Sequence, residues 1–214
     1  SDLTRAIPYD NYSFNFDAAS SDYITASSIT MLNGLNTMSF SLWVKAANAA
    51  QADSYATLLT IADSSTNEGQ IIFSQNNLDN NFNFYVRTSS GYGTPATTGI
   101  GFLNGDWRQV VGTYDGINLK LYLDGSEVSS VSRTGNLITA TGELYLSRSY
   151  SSVQNLFNGK ISNVSIFNEA LTSTEVLKLY ANGVPQDLSS FTPQPVAWYP
   201  LGSNSFWNGS AWTC

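Results

Sequence analysis

The sequence predicts an all-β fold, a two-sheet antiparallel jelly-roll sandwich with one short helix towards its C-terminal end and an extended aromatic tail. Short runs of alternating apolar and polar residues recur along the chain, separated by Gly, Asn, Asp and Ser, as in half-buried strands. The Asp-Gly dipeptides at 115–116 and 124–125 each join two such runs, which is a strong hairpin signal. A capping-box pattern marks the helix.

The predicted strands follow one another from residue 12 to residue 168. In the run at 38–45, for example, Met38, Phe40, Leu42 and Val44 share one face. Short strands in such a succession are typical of a two-sheet antiparallel sandwich. We expect about eleven strands, at residues 12–16, 22–26, 38–45, 56–62, 70–74, 81–87, 106–115, 118–124, 126–133, 143–148 and 160–168.

The helix is predicted at residues 172–182. Thr172 has the residue type of an N-cap, Glu175 stands three residues later, and Gly183 marks the C-terminal end. Several prolines follow, which predicts extended backbone. We therefore divide the chain into an N-terminal arm (1–10), a sandwich (11–183) and an extended tail rich in Pro and Trp (184–214).

The composition excludes several classes of function. Only 12% of the 214 residues are charged, the net charge is −7, and the nine basic residues form no cluster, so we expect no nucleic-acid partner and no membrane partner. The chain has no histidine, which removes Ser-His-Asp triads and histidine metal sites. The largely uncharged surface, rich in Ser, Thr and Asn, favours an extracellular or virion-surface location.

The carboxylates show no glycosidase pattern. A retaining glycosidase needs two carboxyl groups about 5–5.5 Å apart. Acids at alternate positions of one strand supply that spacing, but no Glu-x-Asp occurs in this chain, and no two glutamates are closer than six positions. We therefore assign no catalytic residue and expect the protein not to be an enzyme.

Five stretches, in the right order, resemble the laminin-G-like, concanavalin A-like lectin/glucanase family. They are Tyr-Ser-Phe-Asn-Phe-Asp (12–17) with Ser-Asp-Tyr-Ile (21–24), Phe-Ser-Leu-Trp-Val-Lys (40–45), the hairpin from Asp-Trp-Arg to Tyr-Asp-Gly (106–116), Leu-Tyr-Leu-Asp-Gly (121–125), and the closing strand with its helix cap (157–172). The resemblance covers residues 11–183 and implies a concanavalin A-like sandwich. The segments 175–183, 195–199 and 207–212 also resemble laminin-G-like structural proteins of bacteriophages, particularly marine ones.

The resemblance also implies a structural calcium ion and no other cofactor. Laminin-G-like domains often bind Ca²⁺ through aspartates and loop carbonyls, and Asp17 and Asp22, which flank a turn, would be the ligands here. This chain has Ser162 and Asn163 where the family usually carries Asp-Glu. The alternative is that Asp17 and Asp22 only form the turn.

Aromatic side chains are the candidate binding residues. Exposed rings stack on sugar faces in carbohydrate-binding modules, and Tyr55, Tyr92 and Tyr150 lie in or near loops or strands within reach of a concave face. Tyr85 and Tyr145 share this placement. The alternative for each is a place in the hydrophobic core.

The tail carries a second set of aromatic residues. Trp198, Trp207 and Trp212 would each forfeit roughly 1.5–3 kcal/mol if left in water, so we expect the tail to cover a surface. That surface belongs either to a neighbouring chain, which makes these residues assembly residues, or to the tail's own sandwich. Both alternatives stay open at this point.

Two functions follow from these features. The first is a non-catalytic structural subunit of a virion surface, a coat, decoration or fibre protein, whose partners are its own copies or other coat proteins. The alternative is a carbohydrate-binding module that mediates adhesion to glycans.

Overall fold

Two antiparallel β-sheets pack face to face around the hydrophobic core. The computed structural model describes residues 13–26, 29–47, 55–63, 68–76, 81–99, 105–138, 142–149 and 153–202, and the backbone of 206–207 and 212–213. The prediction of an all-β sandwich with one short helix is confirmed. In the described part of the chain, no helix is long and apolar enough to cross a membrane.

The elements lie close to their predicted positions. The helix α1 spans Ser173–Tyr180. The strands are β1 (Phe14–Phe16), β2 (Ile24–Ala26), β3 (Met38–Ala46), β4 (Tyr55–Asp63), β5 (Glu68–Asn76), β6 (Asn81–Val86), β7 (Ala96–Thr98), β8 (Trp107–Tyr114), β9 (Asn118–Leu123), β10 (Ser126–Ser132), β11 (Glu143–Leu146), β12 (Gly159–Phe167), β13 (Ala197–Tyr199), β14 (Phe206–Trp207) and β15 (Trp212–Thr213).

The strands form two large sheets. Sheet A has the order β1-β12-β3-β8-β9-β10, and β13 also pairs with β12. Sheet B has the order β2-β11-β4-β5-β6-β7. The short strands β14 and β15 pair with each other. The pairing of β3 with β12 brings together two strands that are far apart in the sequence. It thereby joins the N-terminal and C-terminal parts of the domain.

Aromatic rings from both sheets fill the core between them. Phe40 of sheet A meets Phe73 of sheet B at a ring-centroid distance of 6.4 Å, and Phe73 stacks on Phe84 at 4.4 Å. Gly112 on β8 faces this pair, and a Cβ atom there would lie 2.5 Å from the Phe84 ring. A glycine is therefore needed at this position to admit the two rings.

A second apolar layer covers the outer face of sheet A. Val111, Tyr122 and Phe167 of the sheet pack against Val176 and Leu179 of α1 and against Leu188 of the tail. In addition, Trp43 is 3% exposed and stacks on Tyr180, with 5.9 Å between ring centroids. The helix and the start of the tail therefore seal this face.

The helix begins with the predicted capping box. The Thr172 hydroxyl accepts a hydrogen bond from the backbone N–H of Glu175, whose carboxylate accepts in return from the backbone N–H of Thr172. The helix ends two residues earlier than expected, because Ala181 adopts a left-handed conformation with φ of 46°.

Four strands were not predicted, namely β7 and the three tail strands β13, β14 and β15. The first, β7, consists of only three small residues without an apolar stripe. Of the tail strands, β13 pairs with Val164–Ile166 of β12. The described tail residues up to 202 therefore lie along the sandwich of their own chain, which is the second of the two alternatives considered above.

Candidate functional site

A depression of about 270 Å³ lies on the outer face of sheet B. This volume is close to the lower end of the range for small-molecule sites, roughly 300–1,000 Å³. Tyrosine, hydroxyl and amide side chains dominate the lining. The lining residues are Tyr55, Thr57, Thr60, Ile72, Ser74, Tyr85, Ser149, Gln154 and Asn155.

The floor of the depression consists of residues in register on neighbouring strands. Thr60 of β4 lies opposite Ile72 of β5, which lies opposite Tyr85 of β6. Thr57 lies opposite Ser74 in the adjacent row. Because the inward-facing residues of these strands fill the core, these alternate residues point away from it.

A β-bulge places both threonines of β4 on the outer face. The pairing between β4 and β5 shifts between Thr57 and Leu59, so that Leu58 and Leu59 are both buried in the core. Thr57 and Thr60 are three positions apart and would face opposite sides of a regular strand. The bulge thereby brings two hydroxyl groups to the floor of the depression.

Ser149, Gln154 and Asn155, which follow β11 in the chain, form one wall. The Ser149 N–H donates to the Gln154 carbonyl oxygen at 3.0 Å, and the Thr57 N–H donates to the Asn155 carbonyl oxygen at 2.7 Å. Tyr55, at the start of β4, is 42% exposed. Tyr85 stands on the far side of the floor, so that two tyrosine rings border the depression.

A stack of aromatic rings and an arginine adjoins the depression. The Arg148 guanidinium carbon lies 4.8 Å from the ring centroid of Tyr23 and 4.5 Å from that of Tyr145. Tyr145 is opposite Thr60 in the sheet, and the Arg148 Nε–H donates to the carbonyl oxygen of Ser149 at 3.2 Å. Arg148 is therefore bonded to one lining residue, Ser149, and stacks on Tyr145, the cross-strand neighbour of a second lining residue, Thr60.

The Tyr145 hydroxyl is held in its neutral, donating form. Burial raises the pKa of Tyr145, and the hydrogen bond that its hydroxyl donates to the Glu143 carboxylate, together with that carboxylate's charge, raises it further. Because the pKa of a free tyrosine is already about 10, this hydrogen bond persists at neutral pH.

The three predicted sugar-binding tyrosines differ in their position relative to the depression. Tyr55 lines the depression. Tyr92 is 50% exposed, but it stacks on Arg87, with 4.9 Å from the guanidinium to the ring, and is not part of the lining. Tyr150 lies outside the described residues. Tyr85 also lines the site and was identifiable from sequence, because the alternation along β6 turns it away from the core.

Asp17 and Asp22 come together in one turn. The two Asp17 carboxylate oxygens accept hydrogen bonds from the Ala19 N–H at 2.9 Å and the Ser20 hydroxyl at 3.3 Å. Asp22 Oδ2 accepts from the Asp17 N–H at 3.0 Å. Calcium needs six to eight oxygen ligands. No third acidic residue joins these two within the described ranges, and the calcium ion stays a prediction.

The predicted assembly residue Trp198 contacts its own domain. Its indole Nε1–H donates to the Asn163 Oδ1 at 2.5 Å, and its ring packs against the apolar layer that covers sheet A. The backbones of Trp207 and Trp212 pair with each other, and their side chains lie outside the described residues. An assembly role for these two stays a prediction.

The site is equipped for binding uncharged polar groups. Its hydroxyl and amide side chains both donate and accept hydrogen bonds, and its tyrosine rings offer apolar faces. None of the lining residues carries a carboxyl group.

Comparisons with known proteins agree with this architecture. The Laminin_G_3 family model, described as the concanavalin A-like lectin/glucanases superfamily, matches residues 17–177. No curated protein sequence matches the chain significantly.

Several solved structures share the fold. A native heptameric SAP-like pentraxin from Limulus polyphemus is 14% identical, with a TM-score of 0.60 over 93% of this chain and 89% of that chain. A Bacteroides ovatus protein, proposed to bind carbohydrate, is 15% identical, with a TM-score of 0.65 over 92% of this chain and 53% of that one. Domain 4 of AbnA, a GH43 extracellular arabinanase of Geobacillus stearothermophilus, in complex with arabinotriose, is 25% identical, with a TM-score of 0.54 over 69% of each chain.

Proposed function

The chain belongs to the concanavalin A-like lectin/glucanases superfamily, as its motifs predict, and we propose that it is a non-catalytic carbohydrate-binding domain. One observation carries the proposal. The outer face of sheet A is sealed by α1 and the tail, whereas the outer face of sheet B holds a depression lined by hydroxyls, amides and two tyrosines. Sugars present the complementary chemistry, because their hydroxyls form hydrogen bonds and their ring faces stack on aromatic side chains.

The comparisons support the same function. Domain 4 of AbnA, at 25% identity, was solved with arabinotriose bound, and the Bacteroides ovatus protein is proposed to bind carbohydrate. The lining without carboxyl groups supports a binding role over a hydrolytic one, since glycoside hydrolysis uses a pair of carboxyl groups.

Binding to an array of neutral and acidic oligosaccharides tests the proposal. We expect Tyr55→Ala to weaken binding of the best probe about tenfold, the effect of losing a central aromatic contact. Tyr92→Ala is the matched control, because Tyr92 is an equally exposed tyrosine outside the depression. The proposal is overturned if no oligosaccharide binds, or if Tyr92→Ala weakens binding and Tyr55→Ala does not.

The non-catalytic part of the proposal has its own test. We expect no release of reducing sugar when the protein is incubated with a broad panel of polysaccharides. Release that disappears in Glu143→Gln would show hydrolysis, because Glu143 carries a carboxyl group on the same sheet as the depression.

The virion-surface role is a separate prediction that glycan binding does not exclude, since a coat or fibre subunit can also attach to glycans. Because Trp198 packs on its own domain, such assembly would use other surfaces. Native mass spectrometry of the full chain tests it, and a strictly monomeric protein would contradict it.

A further inference from the structure

Arg148 is fixed in position beside the depression. Its guanidinium contacts two tyrosine rings, those of Tyr23 and Tyr145, and its Nε–H is bonded to the Ser149 carbonyl oxygen. A guanidinium has five N–H donors, so this bond leaves the four on Nη1 and Nη2. Stacking on aromatic rings removes much of the freedom of a long side chain before any ligand arrives.

The positive charge of Arg148 has no ion-pair partner among the described residues. The stack contains one carboxylate, that of Glu143, and it accepts its hydrogen bond from the Tyr145 hydroxyl. By contrast, the guanidinium of Arg108 pairs with Asp124 on sheet A at 2.6 Å. Arg148 therefore carries a guanidinium without a described carboxylate partner, although the chain has 16 acidic residues against nine basic ones.

The position of Arg148 relates it to the proposed sugar site. Ser149, which follows it in the chain, lines the depression, and Tyr145 lies opposite Thr60 on the floor. A saccharide on the floor would therefore have its substituents near the guanidinium. Arginine binds a carboxylate through two parallel hydrogen bonds, a geometry that neutral hydroxyl groups do not satisfy as well.

We propose that the ligand is an acidic saccharide and that Arg148 binds its uronate carboxylate while the sugar ring lies in the depression. This inference rests on the proposed carbohydrate-binding function. It adds the chemical class of the ligand and a specificity-determining residue outside the lining of the depression.

Paired probes that differ only in charge test the inference. Oligomers of galacturonate, glucuronate and mannuronate are compared with their methyl esters, and a sulfated galactan oligosaccharide with its desulfated form, by calorimetry on the full chain. We expect at least one uronate oligomer to bind about 10- to 100-fold more tightly than its methyl ester, the value of a charge-assisted hydrogen bond. A preference for the sulfated probe alone would overturn the carboxylate assignment.

Variants then assign the preference to one residue. Arg148→Gln should abolish the preference for the acid over the ester and leave ester binding within about threefold. Lys120→Gln, on sheet A, removes the same charge elsewhere and should keep the preference. Arg148→Lys retains the positive charge but lacks the planar pair of donors. This variant should keep only part of the preference for the acid over the ester.

The outcomes separate this inference from the function on which it rests. Equal binding of acids and esters by the wild type, lost in Tyr55→Ala, would overturn the inference and leave carbohydrate binding intact. An equal loss of acid and ester binding in Arg148→Gln, with a lowered melting temperature, would show that Arg148 only holds the wall after β11 in place. Failure of every probe to bind would overturn both.

Discussion

The indole Nε1–H of Trp198 donates a 2.5 Å hydrogen bond to the Asn163 side chain, which joins the tail to a bulge in the closing strand of sheet A. The same asparagine donates from its Nδ2 to the Gln186 carbonyl oxygen at 3.1 Å, and its backbone N–H donates to that of Pro200 at 3.0 Å. Asn163 is 5% exposed, so these bonds are formed away from bulk water. One buried side chain and its backbone therefore bind three points of the tail.

Asn163→Ala should destabilise the fold by about 2–3 kcal/mol. The change removes two side-chain hydrogen bonds, each worth about 1 kcal/mol, and places alanine at a φ of 54°, which costs roughly another 1 kcal/mol or more. Urea denaturation measures the difference. Asn163→Gly is the matched control, because it loses the same bonds without the backbone strain and should be about 1 kcal/mol more stable than the alanine variant. Equal free energies of unfolding for the alanine and glycine variants would contradict the proposed cost of a positive φ at this position.

A chain truncated after Gly183 should aggregate or melt well below the full chain. The truncation removes β13 and exposes the apolar layer on sheet A that Leu188, Phe191 and Trp198 help to cover. Thermal melting followed by light scattering gives the readout. A truncated domain that keeps its melting temperature but no longer self-associates would instead assign the tail to assembly between chains.

The stability difference between wild type and Glu175→Gln should depend on pH. Hydrogen bonds from the Thr172 backbone and hydroxyl hold the pKa of Glu175 below the usual range of a glutamate side chain. A lowered folded-state pKa stabilises the protein above the unfolded value, and this contribution is lost as the pH falls through the folded value. We expect the wild type to be more stable by about 0.3–1 kcal/mol at pH 7, since a carboxylate in the first helical turn is favoured, and the difference to shrink below about pH 4.5. A difference that is constant from pH 7 to pH 3 would contradict this assignment.

Asp17→Asn should leave the melting temperature nearly unchanged, whereas Asp17→Ala should cost about 1 kcal/mol. Asp17 is the N-cap of a short 3₁₀ turn at Ala18–Ser20, a position that asparagine fills as well as aspartate and that alanine does not. Melting curves with and without a chelator complete the test. If the chelator lowers the melting temperature of the wild type, and the Asp17→Asn substitution lowers it by the same amount, then Asp17 is a calcium ligand in addition to stabilising the turn.

Local patterns in the sequence predict most of the strands and the helix. Alternation identifies β6 because Phe82, Phe84 and Val86 must face the core, and the Thr172–Glu175 pair identifies the start of α1. These signals depend on residues a few positions apart, so that no long-range information is required.

The candidate site depends on relationships that local patterns do not contain. Thr57 and Thr60 share a face only because of a bulge, which changes the alternation by one residue. Sheet B is the open sheet because the helix and tail cover the other one, and that cover depends on contacts such as Asn163 with Trp198. Arg148 had no sequence signal, because its two stacking partners come from the loop before β2 and from β11.

The cover on sheet A also determines the valency of the molecule. With that face sealed, each copy offers one described face for the proposed sugar site, and a depression of about 270 Å³ has room for only a short stretch of saccharide. Tight attachment to a glycan-coated surface would then come from avidity, in which linked sites act at a high effective concentration. Any array of this domain gains that avidity only if its copies are oriented with their sheet B faces towards the same side.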